Sequence, residues 1–273
     1  MRKRTKRSFV LKLGGELLEQ PEDLRRVAAG IVELSTRVGL VVVHGGGREI
    51  DTALANAGIQ KVQIDGLRVT DGPTLEIVVA VLAGAINTRL VAAVRQAGGR
   101  AVGLTGADAG VVTLKRAAPF STAAGQKVSL GLVGSPINNG APQLVTTLVD
   151  DGYVPVVACI GASREGQLLN VNADTLAAHL AVALGASRLV IAGGTSGVLD
   201  AAGQTIARLN AAAASRMIRQ GTASAGMVAK LQACRSAIRG GVTDVLIVNG
   251  RQATLGALAG RTAGVESGTQ VVA

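Results

Sequence analysis

Short β-branched apolar runs alternate along this chain with longer stretches in which Ala and Leu recur at helical spacing. Phe9–Leu13, Leu40–His44, Arg100–Leu104, Val154–Ile160, Arg188–Ala192 and Asp244–Val248 read as strands. Residues 22–37, 48–57, 73–97, 139–151, 173–184, 208–220 and 226–240 read as helices, with Pro73 and Asp174 near two of their starts, where proline and acidic residues are favoured. Strands without a polar face, separated by helix-length segments, predict a mainly parallel sheet covered by helices on both sides. Segment 111–134 scatters Gly125, Gly131 and Gly134 among Val and Leu without helical spacing and predicts one or two hairpins beside the main sheet. Another hairpin is expected around Ser163–Gly166. No Pro/Ser-rich linker divides the 273 residues, so they read as a single domain with two lobes on one sheet, about 9–170 and about 171–273, behind a basic tail of about eight residues.

Composition narrows the classes. Apolar residues make up 48% and charged ones 17%, ample for a buried core. The longest nearly unbroken apolar run, Ile77 to Ile86, falls short of the roughly 20 residues of a membrane span and reads as a buried helix. Met1 to Arg7 is basic but leads straight into a strand-like run rather than a signal-peptide core, and reads as a solvated tail. Cys159 and Cys234, far apart in apolar segments, read as reduced core thiols of a cytoplasmic protein. The net charge of +10 raises the question of nucleic acid, but 1% aromatic residues leave no stacking platform for single strands, and an anionic small substrate explains the charge as well.

The candidate chemistry lies at turns. Lys12-Leu13-Gly14-Gly15 closes the first strand and His44-Gly45-Gly46-Gly47 the second, so both fall beyond strand carboxyl ends, where open α/β sheets bind ligands. Turns without side chains expose N–H groups to anions, although steric need alone accounts for either turn taken singly. Neither Gly-x-x-x-x-Gly-Lys-Ser/Thr nor Gly-x-Gly-x-x-Gly after a strand is present. Asn170-Val171-Asn172-Ala173-Asp174-Thr175 puts two amides and a carboxylate at a helix entrance, one of them suited to capping. Arg68, in Gly66-Leu67-Arg68-Val69-Thr70-Asp71, could grip a carboxylate bidentately or pair with Asp71. His44 reads as a buried, hydrogen-bonded side chain, and the other histidine, His179, lies on a helix. So few histidines suit an acceptor that needs no deprotonation: a carboxylate is already ionised at neutral pH, and lysines, N–H groups and magnesium suffice for acyl phosphate formation.

With Gly226-Met227-Val228-Ala229-Lys230, these motifs stand in one order, and the chain from about Phe9 onward resembles the acetylglutamate kinases of the amino acid kinase superfamily. The resemblance implies an open three-layer αβα sandwich with a mainly parallel central sheet, acetylglutamate over its N-terminal half and ATP over its C-terminal half. It implies ATP-dependent phosphorylation of N-acetyl-L-glutamate in arginine synthesis. Lys12 and Lys230 would stabilise the transferring phosphoryl group, and Asp174 would hold the two lysines. Gly45 and Gly46 would present N–H groups to the substrate, and Arg68 and Asn170 would bind its α-carboxylate. The nucleotide site would take in Gly14, Gly15, Gly193, Gly194, Thr195, Ser196, Gly197, Val198, Thr222, Ala223 and Ser224. Magnesium would be held mainly by ATP phosphates and water, without a protein metal site.

One departure stands out. Where the family carries a Leu-Thr-Asp-Val-type segment before Gly-Val-Leu, this chain has Ile191-Ala192-Gly193-Gly194-Thr195-Ser196-Gly197-Val198-Leu199, and an acidic side chain expected near the nucleotide is missing. About eight residues precede the first strand, too few for the extra N-terminal helix of arginine-inhibited hexameric relatives, so a homodimer is expected. Two other readings keep parts of the pattern: a kinase of lysine synthesis acting on carrier-linked aminoadipate, and a non-catalytic binding or regulatory paralogue. A small regulatory protein on the ATP half is compatible with any of them. No nucleic-acid or membrane partner is expected.

Overall fold

The computed structural model describes residues 8–121, 125–223, 225–260 and 268–273. The basic tail before Ser8 lies outside them. Eight strands form one twisted sheet in the order Arg208–Asn210, Gly268–Val272, Asp244–Asn249, Arg188–Gly193, Ser8–Leu13, Gly39–His44, Val154–Ala158 and Ala101–Thr105. All neighbours pair parallel except Asp244–Asn249 with Gly268–Val272. Leu11, Val41, Val42, Val156, Val190 and Val245 are fully buried, as strands covered on both faces require. The open αβα sandwich with a mainly parallel sheet is thus the observed architecture.

The order of strands decides where a ligand can sit. The chain begins in the middle of the sheet, builds outward through Gly39–His44 on one side, and later returns to build outward through Arg188–Gly193 on the other. Ser8–Leu13 is therefore a topological switch point, where loops leaving the carboxyl ends part in opposite directions and open a crevice. In register, Leu13 stands between His44 and Ala192, so the turns starting at Gly14, Gly45 and Gly193 leave the sheet at one level.

The differences from the sequence reading have local causes. Residues 208–220 divide into an edge strand, Arg208–Asn210, and a helix, Ala211–Arg219, because the Asn210 side chain caps at Ala213 N and ends the strand. The strand Gly268–Val272 was not foreseen, since a five-residue run with two polar members carries little period-2 signal. Val154–Ile160 breaks at Cys159, and Ile160–Ala162 turns away to pair antiparallel with Leu168–Asn170, the hairpin expected around Ser163–Gly166. In 111–134 the hairpin partners reach further than anticipated: Leu114–Arg116 pairs with Gly134–Pro136, and Phe120–Ser121 with Lys127–Val128. The helix placed at 139–151 begins only at Gln143, after Pro142.

The helical stretch Gly72–Gln96 is long and apolar enough to cross a membrane by length and composition. In the fold it lies along the sandwich, burying Val78, Leu82, Ile86, Leu90 and Val94. Its middle, Ala80–Ile86, widens to a π-helix, after which Ile86 and Asn87 are buried side by side.

Candidate functional site

Lys12 is the penultimate residue of the central strand, and its ammonium is buried, with 7% of the side chain exposed. A lone buried ammonium would be costly. The helix Ala173–Ala183 answers it: Asn172 caps that helix, accepting from Asp174 N at 2.9 Å and Thr175 N at 3.0 Å, and this sets Asp174 in the first turn, the favoured end for an anion. Asp174 Oδ1 lies 2.8 Å from Lys12 Nζ and Oδ2 lies 3.4 Å from Lys230 Nζ. Lys230 projects from the helix Ala225–Arg239, which packs against Ala173–Ala183.

The electrostatics hold Lys12 and Asp174 charged. Burial works against the Lys12 ammonium, but the charge and hydrogen bond of Asp174 outweigh it, with Glu16 assisting, and its pKa is raised. Burial likewise opposes the Asp174 carboxylate, but Lys12 and Lys230 lower its pKa below the usual range. A carboxylate with a lysine on each oxygen serves to position them and is a poor base.

The glycine turns divide by task. Gly14 N–H donates to Ala192 O at 2.8 Å and Gly45 N–H to Leu13 O at 3.1 Å, so both are spent on the sheet. This corrects the expectation that Gly45 offers its N–H to a ligand; in that turn Gly46 N–H has no backbone acceptor among the described residues. Gly15 and Gly46 pack back to back, and a Cβ on Gly15 would lie 2.7 Å from Gly46 Cα. A Cβ on Gly46 would overlap Ile86 of the π segment. The two turns therefore touch through bare backbone.

Under Gly45 lies a closed polar cluster. His44 is fully buried; its Nε2 lies 3.1 Å from Asn87 Nδ2, and its Nδ1 lies 3.2 Å from Gly45 O. Asn87 Nδ2 also donates to Val156 O, so Nε2 must accept and the proton sits on Nδ1. Burial, with Arg89 nearby, lowers the His44 pKa to about 4. Cys159 donates to His44 O, and burial raises its pKa to about 12; burial raises that of Cys234 as well. Both are core thiols, as expected. His179 is half-buried, and burial lowers its pKa.

Beyond the second glycine turn, Arg68 ends the small hairpin Gln63–Ile64/Leu67–Arg68. It pairs with Asp51, which Lys61 also holds, rather than with Asp71, whose carboxylate caps Thr74 N instead. Arg68 Nη2 also donates to Gly47 O at 3.3 Å, while its buried Nη1 has no hydrogen-bond partner among the described residues. Asn170 Nδ2 donates to Thr70 Oγ1 at 3.3 Å.

On the other side of the switch point, Gly193 ends the strand Arg188–Gly193, and Gly194, Thr195 and Ser196 follow it. Gly197 adopts φ +113°, a region for glycine, where a Cβ would press on the backbone of Gly268 and Thr269. Val198 N–H donates to Thr269 Oγ1 at 2.7 Å, tying this loop to the final strand. Thr222 turns both N–H and hydroxyl to Met217 O, closing a helix, and Ala223 packs on the core. Ser224 lies outside the described residues. Among the described residues no group of three or more His, Cys, Asp or Glu side chains could hold a metal.

Sequence reasoning passed over Glu16 and Arg251. Glu16 Oε1 accepts from Gly194 N–H at 2.8 Å, and Arg251 Nη2 donates to Glu16 O at 3.1 Å. The signal was present in Glu16, an acidic residue directly after a Gly-Gly turn.

The family model described as "Amino acid kinase family" matches residues 7–249. The chain is 41% identical over 252 residues to an acetylglutamate kinase of Erythrobacter litoralis, covering 90% of this chain and 83% of that protein. It is 40% identical over 260 residues to an acetylglutamate kinase of Parvibaculum lavamentivorans, covering 92% and 84%. Among solved structures, it superposes on the N-acetylglutamate synthase of Neisseria gonorrhoeae, complexed with coenzyme A and N-acetyl-glutamate, with a TM-score of 0.81 at 25% identity, covering 100% of this chain and 61% of the synthase chain. It shares its fold with a carbamate kinase of Giardia lamblia bound to AMP-PNP, at a TM-score of 0.70, 14% identity and 98% coverage of each chain. A lysine-aspartate-lysine triad at the switch point, a family match over most of the length and relatives near 40% identity lead to one assignment: the chain belongs to the amino acid kinase family.

Proposed function

We propose that this chain catalyses ATP-dependent phosphorylation of the γ-carboxylate of N-acetyl-L-glutamate, giving N-acetyl-L-glutamyl 5-phosphate for arginine biosynthesis. The observation that carries the reading is the Lys12–Asp174–Lys230 triad, set between glycine turns at the centre of the sheet. A γ-carboxylate oxygen attacks the γ-phosphorus of ATP, the bond from that phosphorus to the β,γ-bridging oxygen breaks, and its electron pair leaves on ADP. No proton moves, so no base is needed. Lys12 and Lys230 neutralise charge on the phosphoryl oxygens, and Asp174 fixes both ammonium groups.

Arg68 supplies a buried Nη1, without a hydrogen-bond partner among the described residues, that suits the substrate's α-carboxylate, and Asn170, bonded to Thr70, is assigned to the same carboxylate. Gly46 offers the N–H at the reacting end, and Gly45 shapes the turn. Gly14, Gly15, Gly193 to Val198, Thr222 and Ala223 are assigned to the nucleotide, as is Ser224, which lies outside the described residues. Magnesium fits as part of the nucleotide substrate, because the acidic donors near the triad are hard carboxylate oxygens; bound with ATP, it supplies charge neutralisation. Assembly as a homodimer is part of the proposal and is supported by the small, apolar outward positions Ala80, Gly84, Ala85 and Ala92 of the helix Gly72–Gln96.

The test is Mg-ATP-dependent acyl phosphate formation from N-acetyl-L-glutamate, trapped as the hydroxamate. Product that vanishes in Lys12→Ala and Lys230→Ala, with both variants folded by circular dichroism, is the expected result. No product from folded wild-type protein would sink the reading.

A further inference from the structure

A second carboxylate reaches the crevice between the glycine turns, and the reaction as drawn leaves it without a task. Glu16 sits in a single 3-10 turn, Gly15–Leu17, just beyond the central strand. Its Oε1 bonds Gly194 N–H at 2.8 Å and so joins two halves of the sheet that are 178 positions apart in sequence. The surrounding glycines leave room for it. A Cβ on Gly14 would overlap the carboxylate, and one on Gly193 would stand 3.2 Å from Glu16 Oε1 and 3.8 Å from Lys230 Cε. Glu16 and Lys230 thus flank the same glycine.

The placement is built rather than incidental. Arg251 fixes the main chain of Glu16 through its carbonyl while its Nε binds Asp23 at 3.0 Å, and among the described residues no lysine or arginine forms an ion pair with the Glu16 carboxylate. Oε2 accepts no hydrogen bond from the described residues. The 191–197 segment has no acidic side chain of its own, and Glu16 brings a carboxylate to its backbone at Gly194.

The charges explain what such a group does. Lys12 and Lys230 against Asp174 and Glu16 leave the crevice formally neutral. A bare polyphosphate entering it meets the Glu16 carboxylate at close range and is repelled, whereas a polyphosphate carrying a divalent cation brings positive charge to that carboxylate. A hard oxygen donor with a free lone-pair side suits Mg2+, which binds through one or two carboxylates together with substrate phosphates and water. We propose that Glu16 makes this site selective for the metal-complexed nucleotide, attracting the cation that the phosphates carry and repelling phosphates that carry none. The inference rests on the kinase reading above, in which the nucleotide lies over Gly193 and Gly194.

The experiment is calorimetric titration of the full chain with ADP, in Mg2+ and in chelator, for wild type, Glu16→Gln and Glu16→Asp. Gln keeps an acceptor for Gly194 N–H and removes only the charge. Wild type is expected to bind ADP at least about 10-fold more tightly with Mg2+, and Glu16→Gln to compress that ratio to about 3-fold or less, by weakening Mg-ADP and tightening free ADP. Glu16→Asp, which retains the charge, should keep the larger share of the ratio. An unchanged ratio in Glu16→Gln, including equal tightening of both forms, would overturn the proposal. Equal collapse in Glu16→Asp would assign the effect to packing and overturn it too. No ADP binding by wild type in either condition would bring down the nucleotide reading along with it, whereas Mg-ADP binding with an unaltered ratio would remove Glu16's role alone.

Discussion

Asp174→Asn removes one charge and leaves the shape of the triad, so its consequences can be worked from distances. At 2.8 Å and 3.4 Å, with an effective dielectric constant of about 20, the attractions to Lys12 and Lys230 amount to about 6 and 5 kcal/mol before the cost of desolvation. Removing one partner of a buried pair costs about 3–5 kcal/mol net, because the other charge stays buried. Lys12 carries most of that loss, since Lys230 is the more exposed lysine. The pH dependence gives the sharper test. In wild type the Lys12 pKa is raised, so its contribution is complete below the unfolded value of about 10.4 and is lost only as pH climbs through the folded value. In the variant, burial outweighs the remaining help from Glu16 and depresses that pKa, so the variant regains stability as pH rises from neutral toward 10. Urea denaturation at pH 7, 8, 9 and 10 should show a deficit of about 3–5 kcal/mol at pH 7 that narrows at each step. A deficit below about 1 kcal/mol, or one that stays constant with pH, would refute the account of a buried ammonium held by Asp174.

Three further outcomes are expected. His44 has a depressed folded pKa of about 4, so its neutral form stabilises the protein above the unfolded value of about 6.5, and about 3 kcal/mol is lost as pH falls between those values; denaturation curves at pH 7, 5.5 and 4 measure it, and a flat profile would contradict it. Gly46→Ala drives a methyl into Ile86 and should cost about 1–3 kcal/mol, whereas Gly47→Ala, with open space around it, should stay within about 0.5 kcal/mol; equal melting temperatures for the two would count against the packing described. Arg68→Lys removes the buried Nη1 and should raise KM for acetylglutamate about 10- to 100-fold with a smaller effect on kcat, so an unchanged KM would release Arg68 from its assigned contact.

The central strands were legible because burial on both faces forces continuous β-branched runs, and Phe9–Leu13 and Asp244–Val248 each came within a residue of their ends. Lys12, Asp174 and Lys230 were legible as motifs, and Asn172 as one cap among three polar groups. The edge strands were not, because Arg208–Asn210 and Gly268–Val272 are short and mixed in polarity. The pairing of Arg68 with Asp51 rather than Asp71 depends on how a hairpin folds over the helix Gly47–Asn56, which no local pattern encodes. Glu16 escaped for a related reason: its meaning lies in Gly194, and only strand order brings the two together.

The contact between Gly15 and Gly46 has a consequence for how such a protein can change. Because no side chain intervenes, the spacing between the two turns is fixed by van der Waals contact of main-chain atoms and cannot be tuned by substituting a longer or shorter residue there. On the proposed reading, adaptation to an acceptor of another length falls to the far end, in the Gln63–Arg68 hairpin, while the reacting end keeps a constant gauge. A lineage could exchange substrates by remodelling that hairpin and never disturb the lysines.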